Sequence, residues 1–198
     1  MESAADFLER TKDQQPSTWL SLVVEAMDGR SGNALDLGCG AGRDTRFLLE
    51  KGFRVTAVDK EGEVKKYLCA LPQEHLRVVV SRFEDFDFPE NQYDLINASF
   101  SLPFTHREKF DEVFQRMEKS LRIGGVFVGQ LFGVNDDWNK SQTTKTTFHT
   151  EEQARQLFRD WNVRKFIEKE TDGVLANGLP KYSHVFHIIA RRKAVEIG

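Results

Sequence analysis

Apolar residues recur along this chain in two alternating patterns, short runs typical of strands and longer stretches at helical spacing. The five short runs occupy residues 33–37, 54–58, 76–80, 93–97 and 124–128. The helical stretches between them occupy residues 41–51, 63–70 and 107–121. Strands that alternate with helices in this way predict βαβ units and a mostly parallel sheet.

Two further helical segments lie outside this alternation. Residues 1–30 predict a helical extension, in which Pro16 can open a helix with Trp19 and Val23 on its apolar face. Thr150 and Gln153 have the spacing of a capping box, so a helix begins there. Its buried stripe is Ala154, Leu157, Phe158 and Trp161. Residues 135–147, just before this helix, are polar and predict a surface loop.

The chain ends in a predicted antiparallel hairpin of two strands, residues 163–170 and 182–191. The gap between them holds two turn dipeptides, Asp172-Gly173 and Asn177-Gly178, and leaves no room for a helix. We therefore expect one α/β domain over residues 1–198. It should have a Rossmann-like, seven-stranded, mostly parallel sheet with helices on both faces, and residues 1–30 should act as an extension or lid.

Composition and charge narrow the class of protein. Lys and Arg number 28 against 31 Asp and Glu, a net charge of −3, which argues against a general binder of nucleic acid or anionic membranes. Cys39 and Cys69 are too few for a disulfide framework or a four-cysteine zinc site. With no apolar secretory segment and no run long enough to span a membrane, we expect a cytoplasmic protein.

The most informative segment is a glycine-rich loop that follows the first strand and opens a helix. It reads Asp36-Leu-Gly-Cys-Gly-Ala-Gly42, and glycines let its backbone turn sharply and approach a ligand. The dinucleotide fingerprint G-x-G-x-x-G is not met, because Arg43 occupies its third glycine position. A tight turn with no ligand is the alternative interpretation of the loop.

The pattern Asp36, Gly38, Gly40, Gly42 resembles the first motif of the class I S-adenosylmethionine-dependent methyltransferases, (D/E)-x-G-x-G-x-G. This resemblance implies S-adenosylmethionine as cofactor and S-adenosylhomocysteine as product. It also implies that Asp59, at the end of the second strand, binds the ribose diol through its two acceptor oxygens. NAD enzymes place an acid at similar spacing, so Asp59 alone does not choose between the two ligands.

The resemblance implies further cofactor contacts beyond this loop. Arg82 stands where the family often has an acid for adenine, Phe83 and Glu84 lie beside it, and Asn97 offers a carbonyl to the cofactor amino group. The segment around Glu84 also fits a solvated acidic loop. The full expected cofactor set is Asp36, Gly38, Cys39, Gly40, Gly42, Asp59, Lys60, Arg82, Phe83, Glu84 and Asn97.

Candidates for the reaction itself follow the fourth and fifth strands and lie in the hairpin. The possible catalytic residues are His106, Gln130 and His184, and the possible substrate contacts are Phe104, Phe132, Trp138 and Tyr182. Each fits an ordinary core or surface role as well. We expect no metal, since the histidines form no HExxH-type pair. Trp19 could cap the cofactor, although core packing explains it equally.

These features predict an S-adenosylmethionine-dependent methyltransferase that acts on a small molecule by direct in-line displacement. The closing segment, with its capped helix after Phe148 and its strand at Lys181, is similar to the small tellurite-resistance-type methyltransferases. Three alternatives stay open: an NAD(P)-dependent oxidoreductase, an RNA or protein methyltransferase, and a non-catalytic cofactor-binding module. We expect a monomer or a homodimer, with no nucleic-acid or membrane partner.

Overall fold

The fold is a single mixed sheet flanked by helices, described by a computed structural model for residues 3–140, 145–174 and 179–194. Within these residues the sheet has eight strands in the order β3-β2-β1-β4-β5-β8-β7, and β6 pairs with the end of β5. The strands are β1 Asn33–Leu37, β2 Arg54–Asp59, β3 Leu76–Val80, β4 Tyr93–Ala98, β5 Leu121–Gly133, β6 Phe148–His149, β7 Trp161–Val174 and β8 Pro180–Arg192.

Strands β1 to β5 are parallel, and β8 is antiparallel to both β5 and β7. This confirms the Rossmann-like sheet with its closing hairpin. The predicted count of seven strands is wrong by one, because β6 adds two residues that pair in parallel with Phe132 and Gly133. A two-residue strand is too short to show a periodic pattern in the sequence.

The helices lie on both sides of this sheet. They are α1 Ala4–Thr11, α2 Thr18–Ala26, α3 Arg43–Glu50, α4 Val64–Leu68, α5 Phe110–Ser120, α6 Asp137–Lys140 and α7 Glu151–Leu157. One apolar cluster joins α5 and α7 to one sheet face, with Phe114, Phe127 and Phe158 at its centre. A second cluster packs α2, α3 and α4 on the other face, through residues such as Leu20 and Leu48.

Local sequence signals predicted the positions of most of these helices. The capping box is present, because the Thr150 side chain accepts from the Gln153 N–H and the Gln153 side chain accepts from the Thr150 N–H. The N-terminal extension forms two helices, α1 and α2, and α2 begins two residues after Pro16. None of the described helices is long and apolar enough to cross a lipid bilayer.

Three local predictions differ from the structure. The dipeptide Asp172-Gly173 is not a turn, because pairing with β8 continues through it; Asn177-Gly178 lies outside the described residues. The predicted loop at 135–147 contains the short helix α6 and the fully buried Asp136, and its residues 141–144 are not described. Strand β5 begins at Leu121 rather than 124.

The order of the strands fixes where a ligand crevice can form. β1 lies between β2 and β4, so the chain reverses its winding direction between β1 and β4. In open α/β sheets the crevice outside the carboxyl ends of the strands at such a reversal is where ligands bind. The glycine loop after β1 and the segment after β4 therefore face the same crevice.

Candidate functional site

The glycine loop turns at the carboxyl end of β1 and delivers the chain into α3. The backbone N–H groups of Gly38 and Cys39 both donate to the Val58 carbonyl, at 2.7 and 3.1 Å, which ties the loop to β2. Gly42, in the left-handed region with φ 83°, is the N-cap of α3. The free N–H groups at the start of α3 thus face the crevice, and the helix dipole adds partial positive charge there.

Two glycines of this loop are required for different reasons. Gly38 has φ 74°, and a Cβ on it would lie 2.3 Å from the Cβ of Ser101, so the segment after β4 packs directly on the loop. Gly40 has φ 52°, but a Cβ on it would meet only the Leu8 side chain, at 3.7 Å. The space above Gly40 is therefore open to a ligand and bounded by α1 of the N-terminal extension.

Asp59 sits across this loop at the end of β2. Its Oδ2 accepts from the Gly40 N–H at 2.9 Å and its Oδ1 accepts from the Glu61 N–H at 3.0 Å. An ionised carboxylate has about four lone-pair sites, so each oxygen retains acceptor capacity beyond these two bonds. Lys60, next to Asp59, is exposed and its ammonium lies 3.7 Å from Glu61.

A buried polar network lies beneath the loop. Asp36 accepts from the Thr45 hydroxyl at 2.5 Å and from the Asn97 amide at 2.8 Å, and the same amide nitrogen lies 3.2 Å from Asp44. Burial, and then the nearby Asp44 carboxylate, raise the pKa of Asp36 to about 7. The Arg43 guanidinium balances Asp44 with two contacts, at 3.0 and 3.2 Å.

This network gives Asp36 and Asn97 structural roles that the sequence pattern did not reveal. Both side chains are 1% exposed, and the Asn97 carbonyl oxygen, expected to face the cofactor, accepts from the Ser99 hydroxyl at 2.7 Å. The Cys39 thiol is also buried. Desolvation and the charges of Asp36 and Asp59 raise its pKa well above the usual value, so the thiol stays protonated.

The residues expected on the adenine side follow the end of β3. Arg82 is exposed and Phe83 packs against the first apolar cluster. The Glu84 carboxylate accepts from the His106 N–H at 3.0 Å, so these two predicted site residues are brought together. The His106 ring itself caps a short 3-10 helix, because its Nδ1 accepts from the Glu108 N–H at 3.3 Å.

Three of the four predicted substrate contacts form one aromatic group beyond β4 and β5. The Phe132 ring lies 5.6 Å from both the Phe104 and the Trp138 rings, edge-on to Phe104. Gln130 is two residues earlier on β5, on the same sheet face, and its Oε1 accepts from the Phe100 N–H at 2.9 Å. The Gln130 Nε2 is buried without a hydrogen-bond partner among the described residues.

His184 and Tyr182 lie on the opposite face of the hairpin. The His184 Nδ1 accepts from the Asn135 N–H at 3.1 Å, so its Nε2 carries the proton and donates to Glu168 at 2.7 Å. The Tyr182 hydroxyl donates to Glu170. This tautomer suits a structural histidine rather than a base.

Glu168, Glu170 and His184 also bring three donor atoms within 4.8 Å of one another, a spacing that could hold a metal ion. A histidine that ligates a metal through one ring nitrogen normally donates a proton from the other. In His184 the other nitrogen, Nδ1, accepts a hydrogen bond. The ring is therefore oriented to donate from Nε2 to Glu168 rather than to bind a cation.

A cavity of about 250 Å³ opens beside the aromatic group, on the same sheet edge as the glycine loop. It is lined by Phe100, Phe132, Trp138, Gly173, Val174, Lys181, Ser183 and Val185. Sequence reasoning missed Phe100, Lys181 and the neighbouring His187, whose ring contacts Phe100 and Trp19. Burial, and then the charge of Lys169, lower the pKa of His187.

The alternation along β8 was the available signal for these residues. Lys181, Ser183, Val185 and His187 are two apart and therefore share a face. Which sheet face they share depended on the pairing of Val185 with Phe132, which the sequence does not show.

Comparisons with known proteins agree with this geometry. Residues 34–125 match a family model described as a methyltransferase domain. The chain is 26% identical over 137 residues to a probable S-adenosyl-L-methionine-dependent methyltransferase TehB of Haemophilus influenzae, covering 68% of this chain and 47% of that protein. It is 30% identical over 139 residues to a ribosomal RNA small subunit methyltransferase J of Francisella philomiragia, covering 66% of this chain and 56% of that protein.

The chain thus spans about half the length of the curated relatives it matches. Among solved structures, TehB from Haemophilus influenzae superposes with a TM-score of 0.78 at 18% identity, over 96% of this chain and 67% of that one. A Burkholderia thailandensis 1,6-didemethyltoxoflavin-N1-methyltransferase, with bound 1,6-didemethyltoxoflavin and S-adenosylhomocysteine, gives 0.67 at 23% identity, over 97% and 84%. These two likenesses show the shared fold.

Proposed function

We propose that this chain, which carries a class I S-adenosylmethionine-dependent methyltransferase domain, transfers a methyl group from S-adenosylmethionine to a small-molecule acceptor. The observation that carries the proposal is the bond from the Gly40 N–H to the Asp59 carboxylate, which ties the glycine loop, at the strand-order reversal between β1 and β4, to the end of the neighbouring β2. It holds an open glycine loop and an acceptor-rich carboxylate together at the edge of one crevice.

The residues present fit such a cofactor. Asp59 retains acceptor sites suited to a ribose diol, and the space above Gly40 is free of backbone. The start of α3 supplies backbone N–H donors beside the same space. Phe83 and Glu84 would border the adenine. The loop, Lys60, Arg82 and Asn97 complete the proposed set, with Asp36 and Asn97 acting mainly by holding the loop from below.

When bound, the cofactor supplies a methyl group already activated on a sulfonium sulfur. The chain's own contribution is then to align the acceptor in line with that methyl group and to exclude water. Gln130 suits the alignment role, because its buried Nε2 lacks a hydrogen-bond partner among the described residues and would donate to a ligand. His106, whose backbone N–H donates to Glu84, is a further proposed catalytic residue.

A small acceptor is supported by the cavity beside the crevice and by the net charge of −3. The bound 1,6-didemethyltoxoflavin of the Burkholderia thailandensis enzyme is a precedent for a small ligand on this fold. We further propose that the protein is cytoplasmic and acts as a monomer or homodimer.

A ribosomal RNA acceptor is the second candidate, favoured by the relative named as ribosomal RNA small subunit methyltransferase J. A protein that binds RNA through many phosphates needs a local surplus of Lys and Arg. The described lining of the aromatic cavity instead contains one lysine and one serine among apolar residues. We therefore rank RNA below a small molecule.

One labelling experiment tests the proposal. The chain is incubated with S-adenosylmethionine carrying a radioactive methyl group and with either the small-molecule or the RNA fraction of a cell extract. We expect label in the small-molecule fraction, and none with an Asp59→Ala control chain. Label confined to RNA would establish the second candidate, and absence of S-adenosylhomocysteine binding by calorimetry would refute both.

A further inference from the structure

The side chains that line the cavity beside the crevice narrow the chemical class of the methyl acceptor. We propose that it binds the methyl acceptor and selects a flat aromatic molecule that carries an anionic oxygen, such as an aromatic carboxylate or phenolate. This inference rests on the proposed methyl transfer and adds the substrate class to it. Its grounds are the aromatic walls, the single buried ammonium and the charge of the hairpin face.

Aromatic side chains form the walls. Phe132 is 4% exposed and meets Phe104 at 89° and Trp138 at 66°, so the three rings stand edge-to-face rather than stacked on one another. Phe100 lines the cavity and is 49% exposed, which places an apolar ring at the mouth, and Phe104 packs behind Phe132 and Trp138. Rings arranged this way offer faces and edges to another flat ring, and each such contact is worth about 0.5–1.5 kcal/mol beyond burial.

The wall at Phe100 is held in place by the fold. Phe100 has a backbone φ of 52°, a left-handed conformation that is costly for a bulky residue. The buried Gln130 side chain fixes it by accepting the Phe100 N–H at 2.9 Å. The Phe100 ring also stands edge-on to His187, with centroids 6.2 Å apart. Strain maintained by a buried amide is typical of a ligand site.

Among the described residues, one charged side chain lines the cavity. Lys181 is 9% exposed, and its ammonium lies 2.8 Å from the Asp136 carboxylate, 3.0 Å from the Ser183 hydroxyl and 4.3 Å from the centre of the Trp138 ring. An ammonium has three protons, so two acceptors leave one donor for a ligand oxygen. Asp136 is further satisfied by two backbone N–H groups, those of Trp138 and His184.

The hairpin carries opposite charges on its two faces. Lys165 and Lys169 alternate with Glu168 and Glu170 along β7. Lys169 pairs with Val185, a cavity residue, whereas Glu170 pairs with His184 on the opposite face. Residues paired across antiparallel strands point the same way. The charged β7 residues on the cavity face are therefore both lysines, which favours an anionic ligand over a neutral or cationic one.

The size of the cavity limits the acceptor. At about 250 Å³ it is smaller than the roughly 300–1,000 Å³ of typical ligand pockets, so it suits one or two fused rings. A macromolecular acceptor would have to insert a single ring.

Three probes test the inference in the presence of saturating S-adenosylhomocysteine. They are 2-naphthoate, its neutral amide 2-naphthamide, and the saturated carboxylate decahydro-2-naphthoate. We expect naphthoate to bind the parent chain at least about tenfold more tightly than either of the others, since each lacks one of the two recognised features. Calorimetry, with ligand-observed NMR for the weaker probes, measures the three dissociation constants.

Variants then assign each feature to its residue. Replacing Lys181 alone would leave the buried Asp136 carboxylate without a counter-charge. The test therefore uses the double variant Lys181→Met with Asp136→Asn, in which both side chains are neutral. It should bind naphthoate no better than the amide. Phe132→Leu should reduce the preference for naphthoate over its saturated analogue. The matched control is Lys51→Met, which removes a lysine 5.5 Å from the Phe47 ring, remote from the cavity, and should change nothing.

Several outcomes would overturn the inference. These are equal affinity for the three probes, no naphthoate binding, or full naphthoate affinity in the folded double variant. Failure of the proposed function looks different, because it would appear as loss of S-adenosylhomocysteine binding in the parent chain itself. Cofactor-product binding without probe discrimination refutes only the aromatic-anion assignment.

Discussion

Replacing Asp59 is the most direct test of the crevice. In the folded chain this carboxylate accepts two backbone N–H groups, from Gly40 and Glu61, and it retains lone pairs for a ligand diol. A hydrogen bond to a charged group contributes about 1.5–3 kcal/mol, so two lost ligand bonds amount to roughly 3–6 kcal/mol. At about 1.4 kcal/mol per tenfold change, Asp59→Ala should weaken S-adenosylhomocysteine binding by roughly 10²–10⁴.

The same substitution has a modest cost for folding. It removes the side-chain acceptor of the Gly40 and Glu61 N–H groups, but both residues are partly exposed, so water replaces that acceptor and the two lost bonds cost about 1–3 kcal/mol together. At about 2–4 °C per kcal/mol for a chain of this length, the melting temperature should fall by roughly 2–12 °C. Asp59→Asn keeps one acceptor oxygen and should be intermediate in both measurements.

Calorimetric titration with S-adenosylhomocysteine and thermal unfolding by circular dichroism measure the two effects separately. Glu61→Ala is the matched control, because this neighbouring carboxylate is 40% exposed and only its backbone N–H bonds to Asp59. Its affinity should stay within about twofold of the parent chain. An Asp59→Ala chain that is folded and binds S-adenosylhomocysteine as tightly as the parent would show that the ribose assignment is mistaken.

Three further predictions concern the loop and its supports. Gly38→Ala should destabilise the fold by about 3 kcal/mol or more in urea unfolding, since it adds left-handed strain to a 2.3 Å contact with Ser101; an unchanged midpoint would contradict this packing. The raised pKa of Asp36, about 7, means that the native state holds a proton that the unfolded state releases near pH 4. Its contribution to stability should therefore be lost as pH rises from about 4 to 7, and Asp36→Asn should flatten that part of the stability–pH curve; an unaltered slope would count against the assignment. Leu8→Ala, which removes a 2% exposed side chain at the edge of the space above Gly40, should cost about 2–5 kcal/mol locally and speed amide exchange in α1, while equal exchange would show that α1 does not depend on this contact.

Much of the fold of this protein could be predicted from local sequence patterns. The alternation of strands and helices, the capping box at Thr150 and the glycine pattern after Asp36 each depend on neighbours within a few residues. Backbone sterics and helical or strand periodicity act at that range, so the sequence alone determined the α/β sheet and the position of its glycine loop.

The arrangement of the candidate site residues was decided by contacts between distant parts of the chain. Alternation puts Lys181 and His184 on opposite faces of β8, but only the pairing of β8 with β5 and β7 made the Lys181 face the cavity face. The buried network joins Asp36 to Asn97 across 61 positions. Alternation tells which side chains share a face, but not which face is buried or what pairs with it, because strand register is set by contacts between distant parts of the chain.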